Sequence, residues 1–247
     1  MSNIEFAYTP SSTSQSEEYM SMRKKNMHEF SVYSGDSFNI TQIFGFISKF
    51  YKNISSEQKN TLKTKKEEDI TDFIRRDIQK DEDFRYSGFT VNTEARNQSY
   101  EVGYYDLKFE NPAYWQSKYF VFECKPIDLT STKIKAYIYT QSKTKGQDGG
   151  LYRFFINKYA ENLPFGGMLG YVTSNTPEEI ITKLKSEIKS LQIEGDINFG
   201  NLTDEYLLNM QINDFKHSFQ SKHIRINQNK EIITSIHIFH LFLDLTE

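Results

Sequence analysis

One stretch limits what this chain can fold into: Gly103-Tyr104-Tyr105-Asp106-Leu107-Lys108-Phe109, then Tyr119-Phe120-Val121-Phe122-Glu123-Cys124-Lys125-Pro126. Both halves are rich in aromatic and β-branched residues and end at turn formers, Asn111-Pro112 and Pro126-Ile127-Asp128, so both are expected to be strands. Side chains alternate across a strand, which puts Tyr119, Val121, Glu123 and Lys125 on one face and Phe120, Phe122 and Cys124 on the other. In the first strand Tyr104, Asp106 and Lys108 share a face. Paired as a hairpin, the two strands bring Asp106, Glu123 and Lys125 together. The run Phe-Val-Phe-Glu-Cys-Lys is nearly continuous in apolar residues, as in a strand covered on both sides. A carboxylate buried there costs several kcal/mol unless a partner or a metal compensates it. Two carboxylates and a carbonyl form the oxygen-rich surroundings that Mg²⁺ prefers, and a lysine two residues after Glu123 lies beside such an ion. An edge hairpin with a solvated Glu/Lys pair is the plainer reading of the same residues.

Asp106 on one strand, followed 17 residues later by Glu123-Cys124-Lys125 at the end of the next, resembles the PD-(D/E)xK nuclease superfamily. Tyr105 stands where the motif's name has proline. The resemblance implies an α/β fold with a restriction-endonuclease-like αβββαβ core over about residues 60–175. That core is a mixed sheet flanked by helices, here with an N-terminal helix and a C-terminal β-hairpin added. It implies Mg²⁺, with Mn²⁺ as substitute, held by Asp106, Glu123 and the carbonyl of Cys124, and Lys125 activating or orienting the attacking water. It also implies an acidic residue on the helix before the strands. Glu67 to Ile78 reads as that helix, and acids in its first turn complement the helix dipole in any case. Glu67 continues the inward stripe of Ile70 and Ile74, whereas Glu68 aligns with Thr71, Asp72 and Arg75. Both stand as candidates, Glu67 first. The activity implied is a metal-dependent endonuclease hydrolysing DNA in bacterial restriction or antiviral defence. The alternatives are a non-catalytic nuclease-fold subunit of a defence complex, and the same chemistry on RNA.

The net charge of −3 bears on that reading. Domains that bind DNA by themselves usually carry a basic excess, because affinity comes largely from phosphate contacts and counterion release. A local basic patch, a homodimer groove or a protein partner that delivers the nucleic acid is therefore expected. The single cysteine excludes an internal disulfide framework. No apolar run reaches the roughly 18 residues of a membrane span, and the first residues lack a signal-peptide pattern. A cytoplasmic location is the expectation.

Residues 1–30, rich in Ser, Thr, Glu and Met, are expected to form a flexible arm, and residues 31–247 one domain. Ile40, Ile43, Phe44, Ile47, Phe50 and Tyr51 give an N-terminal helix its apolar stripe. A polar, Lys-rich linker follows. Phe89 to Thr93 reads as a strand leading to the hairpin. Farther on, a polar segment with Lys143 and Lys145 runs through Gly149-Gly150 into an expected helix over 151–160. Backbone N–H groups at a glycine-rich helix start can receive a phosphate, and Arg153 in the first turn would add charge-assisted bonds. Lys143, Lys145 and Arg153 are thus candidate nucleic-acid contacts. The stretch also resembles a Gly-x-x-Arg-Phe, then Lys-Tyr pattern of small bacterial restriction-like proteins. Gly166 to Thr173 is a strand, and Thr176-Pro177-Glu178-Glu179 a strong helix start. In the last segment Ser221, His223 and Arg225 alternate onto one face, a candidate phosphate-contacting strip, before an apolar return strand over 232–245. His223, His237 and His240 lack the spacing of a zinc site, and no phosphate-loop or dinucleotide motif occurs.

Overall fold

A computed structural model of the protein describes residues 38–93, 95–96, 104–113, 115, 118–142, 146–193, 215–226 and 231–246. The expected N-terminal arm, Lys143 and Lys145 lie outside these residues. The chain divides into two compact units, Met1–Gln42 and Ile43–Glu247, and the elements that build the site belong to the second.

Helix α1 covers residues 38–53, with Ile43, Ile47 and Phe50 buried at helical spacing. Helix α2, Ser56–Leu62, begins at a capping box in which Ser55 and Gln58 each bond the other's backbone N–H. Helix α3, Glu67–Lys80, buries Ile70, Ile74 and Ile78, one residue per turn. The short α4, Glu82–Tyr86, starts where the Asp81 carboxylate accepts the Phe84 N–H.

The strands form a six-stranded mixed sheet flanked by helices. Strand β1, Thr90–Asn92, pairs antiparallel with β4, Leu107–Glu110, and β4 antiparallel with β5, Tyr119–Ile127. Strand β5 then runs parallel to β8, Phe165–Val172, and β8 parallel to β10, Ile232–Asp244. Strand β9, Ser218–Ile226, closes the edge antiparallel to β10, giving the order β1-β4-β5-β8-β10-β9. Two small pairs stand apart: β2, Ala95–Arg96, with β3, Tyr104–Tyr105, and β6, Thr140–Ser142, with β7, Gly146–Asp148.

Parallel neighbours need crossovers, and helices supply them. Helices α5, Ser131–Ile138, and α6, Tyr152–Phe155, lie between β5 and β8; α7, Pro177–Ile193, lies between β8 and β10. Strand β5 is covered on both faces. Phe120 and Phe122 meet Phe44 of α1, with ring centroids 5.7 and 6.1 Å apart. On the other side Val121 joins Ile134, Ile138, Phe154, Leu184 and Phe242 in one buried cluster. Strand β8 admits both layers because it opens on glycine. A Cβ on Gly166 would lie 2.4 Å from the Phe154 ring, and one on Gly167 2.3 Å from the Phe122 ring. Among the described residues no helix is long and apolar enough to cross a membrane.

The C-terminal hairpin is added along the β8 edge of the core strands: β10 pairs with β8 from His237↔Phe165 to Asp244↔Val172, and β9 forms the outer edge. One expectation needs correction. The expected helix over 151–160 is a single turn, because Asn157, Ala160 and Asn162 take positive φ values of 59°, 50° and 55°, which a right-handed helix excludes.

Candidate active site

The site forms where the β4–β5 ladder stops. Leu107↔Phe122 is the last pair, so Asp106 stands just outside it and, among the described residues, the Cys124 peptide has no paired strand on that side. Asp106 fills the gap: its Oδ2 accepts the Cys124 N–H at 2.7 Å. A residue's N–H and C=O point to the same side of a strand, so the Cys124 carbonyl is directed the same way. The Cys124 thiol lies on the opposite face, where burial pushes its pKa well up.

Lys125 brings three acids together. Its Nζ is 2.6 Å from Glu67 Oε1 on α3, 3.0 Å from Glu123 Oε1 and 3.9 Å from Asp106 Oδ2. Glu123 has no exposed surface, and it is held by two cations, a backbone N–H and the Tyr159 hydroxyl. Arg153 Nη1 lies 3.2 Å from Oε1 and 2.9 Å from Oε2, and the Gly150 N–H donates to Oε1 at 3.1 Å. Arg153 is itself fixed by the Tyr159 hydroxyl at 2.9 Å and by Asp148 at 3.3 Å, and Asp148 is also paired with Lys158.

Three carboxylates, Glu67, Asp106 and Glu123, face two cations, Lys125 and Arg153, which leaves one negative charge in excess. Burial, then the neighbouring Glu123 charge, raise Asp106 well above the carboxylate range. Burial would also raise Glu123, but Lys125 and Arg153 outweigh it and hold that carboxyl below its usual value. Glu67 is raised by burial, in part offset by Lys125. Burial acts to lower Lys125, yet the Glu123, Asp106 and Glu67 charges prevail and raise it, so the side chain is an ammonium.

Asp106, Glu123, Lys125 and Glu67 are therefore brought to one place. Glu68 is exposed and outside it, as the helix phase indicated. Arg153 reaches the site as a partner of Glu123, not from a phosphate cradle. The glycine N–H groups expected to receive a phosphate are already used, Gly149 by Asp148 and Gly150 by Glu123. Asp148, Lys158 and Tyr159 carried no assignment in the sequence. Lys158 and Tyr159 were signalled only by the Gly-x-x-Arg-Phe, Lys-Tyr pattern, whose glycine, arginine and tyrosine stand around Glu123 and whose lysine pairs with Asp148; nothing signalled Asp148.

The strip expected from β9 is not a nucleic-acid surface. Arg225 is fully buried, and its guanidinium donates to the carbonyls of Phe154, Tyr159, Ala160 and Leu163 at 2.7–3.0 Å. It fixes the turn that ends α6. His223 is also buried: its Nε2 lies 2.7 Å from Ser221 Oγ, which is 2.8 Å from His240 Nε2, while the Tyr137 hydroxyl reaches His240 Nδ1 at 3.0 Å. The alternation identified residues sharing a face; the helical layer covers that face.

Among the described residues no group of three or more His, Cys, Asp or Glu is arranged to hold a metal ion. The acids converge on an ammonium. Comparison with family models, with curated proteins and with solved structures gives no match.

Proposed function

We propose that this protein is a Mg²⁺-dependent nuclease of the PD-(D/E)xK kind, hydrolysing DNA phosphodiester bonds in restriction or antiviral defence. The observation that carries the reading is the meeting of Asp106, Glu123 and Lys125 with an acid from the preceding helix, Glu67, at the end of two adjacent strands. The element order supports it: α3, then β1, β4 and β5 antiparallel, then α5, then β8 parallel to β5, which follows the αβββαβ order of the resemblance.

The residues fit a hard divalent cation. Asp106, Glu123 and the Cys124 carbonyl offer oxygen donors, and such an ion would offset the cost of an ionised Asp106, whose pKa burial and then Glu123 raise. When bound, the ion polarises the phosphoryl oxygen and lowers the pKa of a water. The chain's own residues do the rest. Arg153 and the Gly150 N–H hold Glu123 in one orientation. Lys125 donates hydrogen bonds to the attacking water and steadies the negative charge that develops on the phosphoryl oxygens. As an ammonium it orients that water and does not take its proton.

Plasmid DNA incubated with the purified protein and Mg²⁺ or Mn²⁺ tests the reading, beside labelled RNA to decide the substrate. Cleavage is expected, with a loss of about 10²-fold or more in Asp106→Ala and Lys125→Ala. Variants that cleave as fast as the parent protein overturn it. The acidic net charge and the fully engaged Glu123 favour a second reading, a non-catalytic nuclease-fold subunit. That subunit would show no cleavage and no thermal stabilisation by Mn²⁺.

A further inference from the structure

The placement of Lys125 carries a step that rests on this reading. Its ammonium lies beside both acids, 3.0 Å from Glu123 and 3.9 Å from Asp106. Its closest contact is Glu67, at 2.6 Å. The two glutamates are not equivalent. Glu123 is fully buried and pinned by Arg153 and Gly150, whereas Glu67 is 32% exposed, lies on a helix, and has Lys125 as its one ion-pair partner among the described residues. A lysine stem is flexible and its three N–H donors rotate freely. The ammonium can therefore leave Asp106 and Glu123 without leaving Glu67.

We propose that Lys125 is the site's built-in cation, that a divalent ion binds by displacing its ammonium from Asp106 and Glu123, and that Glu67 retains the displaced ammonium as a positioning residue without ligating the ion. The exchange brings added positive charge to the end of β4 and β5, where the reading places the phosphodiester.

Calorimetric titration with Mn²⁺ tests the exchange without any turnover. Four proteins are compared: the parent, Lys125→Met, Glu67→Gln and the double variant. Removing the competing ammonium is expected to tighten Mn²⁺ binding about tenfold or more. Glu67→Gln is expected to weaken binding about tenfold in the parent background, because the ammonium then rests on the other two acids, and to change nothing once Lys125 is methionine. Equal weakening in both backgrounds makes Glu67 a ligand and overturns the proposal. Binding to Lys125→Met no tighter than to the parent also overturns it, while leaving the metal site itself standing. Absence of Mn²⁺ binding in both removes the metal site as well. Should Lys125→Met fail to fold, ¹³Cε lysine spectra of the parent serve instead, with the Lys125 signal assigned from Lys125→Arg. That signal is expected to shift on addition of Mg²⁺, and a signal unmoved at saturation overturns the exchange.

Discussion

Asp106 bears the strain of the site. Its pKa is raised by burial and by Glu123, so the sign of its effect on stability is opposite to that of an ordinary paired acid. A carboxyl whose folded-state pKa is raised binds its proton more tightly when folded. It contributes stability at low pH and loses it as pH rises through the folded value. At neutral pH its charge therefore costs folding free energy. Asp106→Asn removes that charge and keeps an oxygen for the Cys124 N–H. The variant is expected to melt at least about 2 °C higher than the parent at pH 7 while losing cleavage. Thermal unfolding followed by circular dichroism checks this, and a lower melting point refutes it. Much of this residue-level arrangement was legible in the sequence. Period-two alternation put Glu123 and Lys125 on one face, and helix phase separated Glu67 from Glu68. The partners of Glu123 were not legible, because Gly150, Arg153 and Tyr159 approach it through a turn with positive φ angles that no periodicity describes.

Between elements, α5, β9 and β10 are joined by a buried relay of Tyr137, His240, Ser221 and His223. Burial, then His223 and Lys185, push the His240 pKa well below its ordinary value. The folded protein keeps that ring neutral, while the unfolded chain takes up a proton near pH 6.5. Stability is thus complete above about pH 6.5 and falls as the pH drops below it. The urea midpoint is expected to be lower at pH 5.5 than at pH 7.5, and the difference to shrink in His240→Gln; an unchanged difference would assign the acid sensitivity elsewhere. The same elements show where sequence reading stopped. Strand β10 was recognisable as apolar. Its place beside β8 was not, since an uninterrupted apolar strand says that both faces are covered and leaves its neighbours open. For β9, alternation gave the correct partition into faces and the wrong face to solvent.

For the whole molecule the open matter is charge. An acidic chain that acted on a polyanion, as proposed, would need a concentrated basic surface, and the segment between α2 and α3 offers a candidate. Lys63, Lys65 and Lys66 precede Glu67 directly and take part in no ion pair among the described residues; Lys65 and Lys66 are exposed and Lys63 half-buried. They stand one to four residues before Glu67, the acid in contact with Lys125. Changing all three to glutamine is expected to weaken DNA binding and to reduce the slope of log affinity against log salt by about 2–3. Fluorescence anisotropy over a salt series measures that slope, and an unchanged value would place the phosphate contacts on another surface.

Arg225 ties the end of the chain to its centre. It leaves the ribosome 100 residues after Lys125, and with β9 and β10 it fixes the carbonyls of the turn that carries Tyr159 beside Arg153. The aim of Glu123 therefore depends on an edge strand far along the sequence: a change at Arg225 is expected to loosen Arg153, and through it Glu123, without touching either.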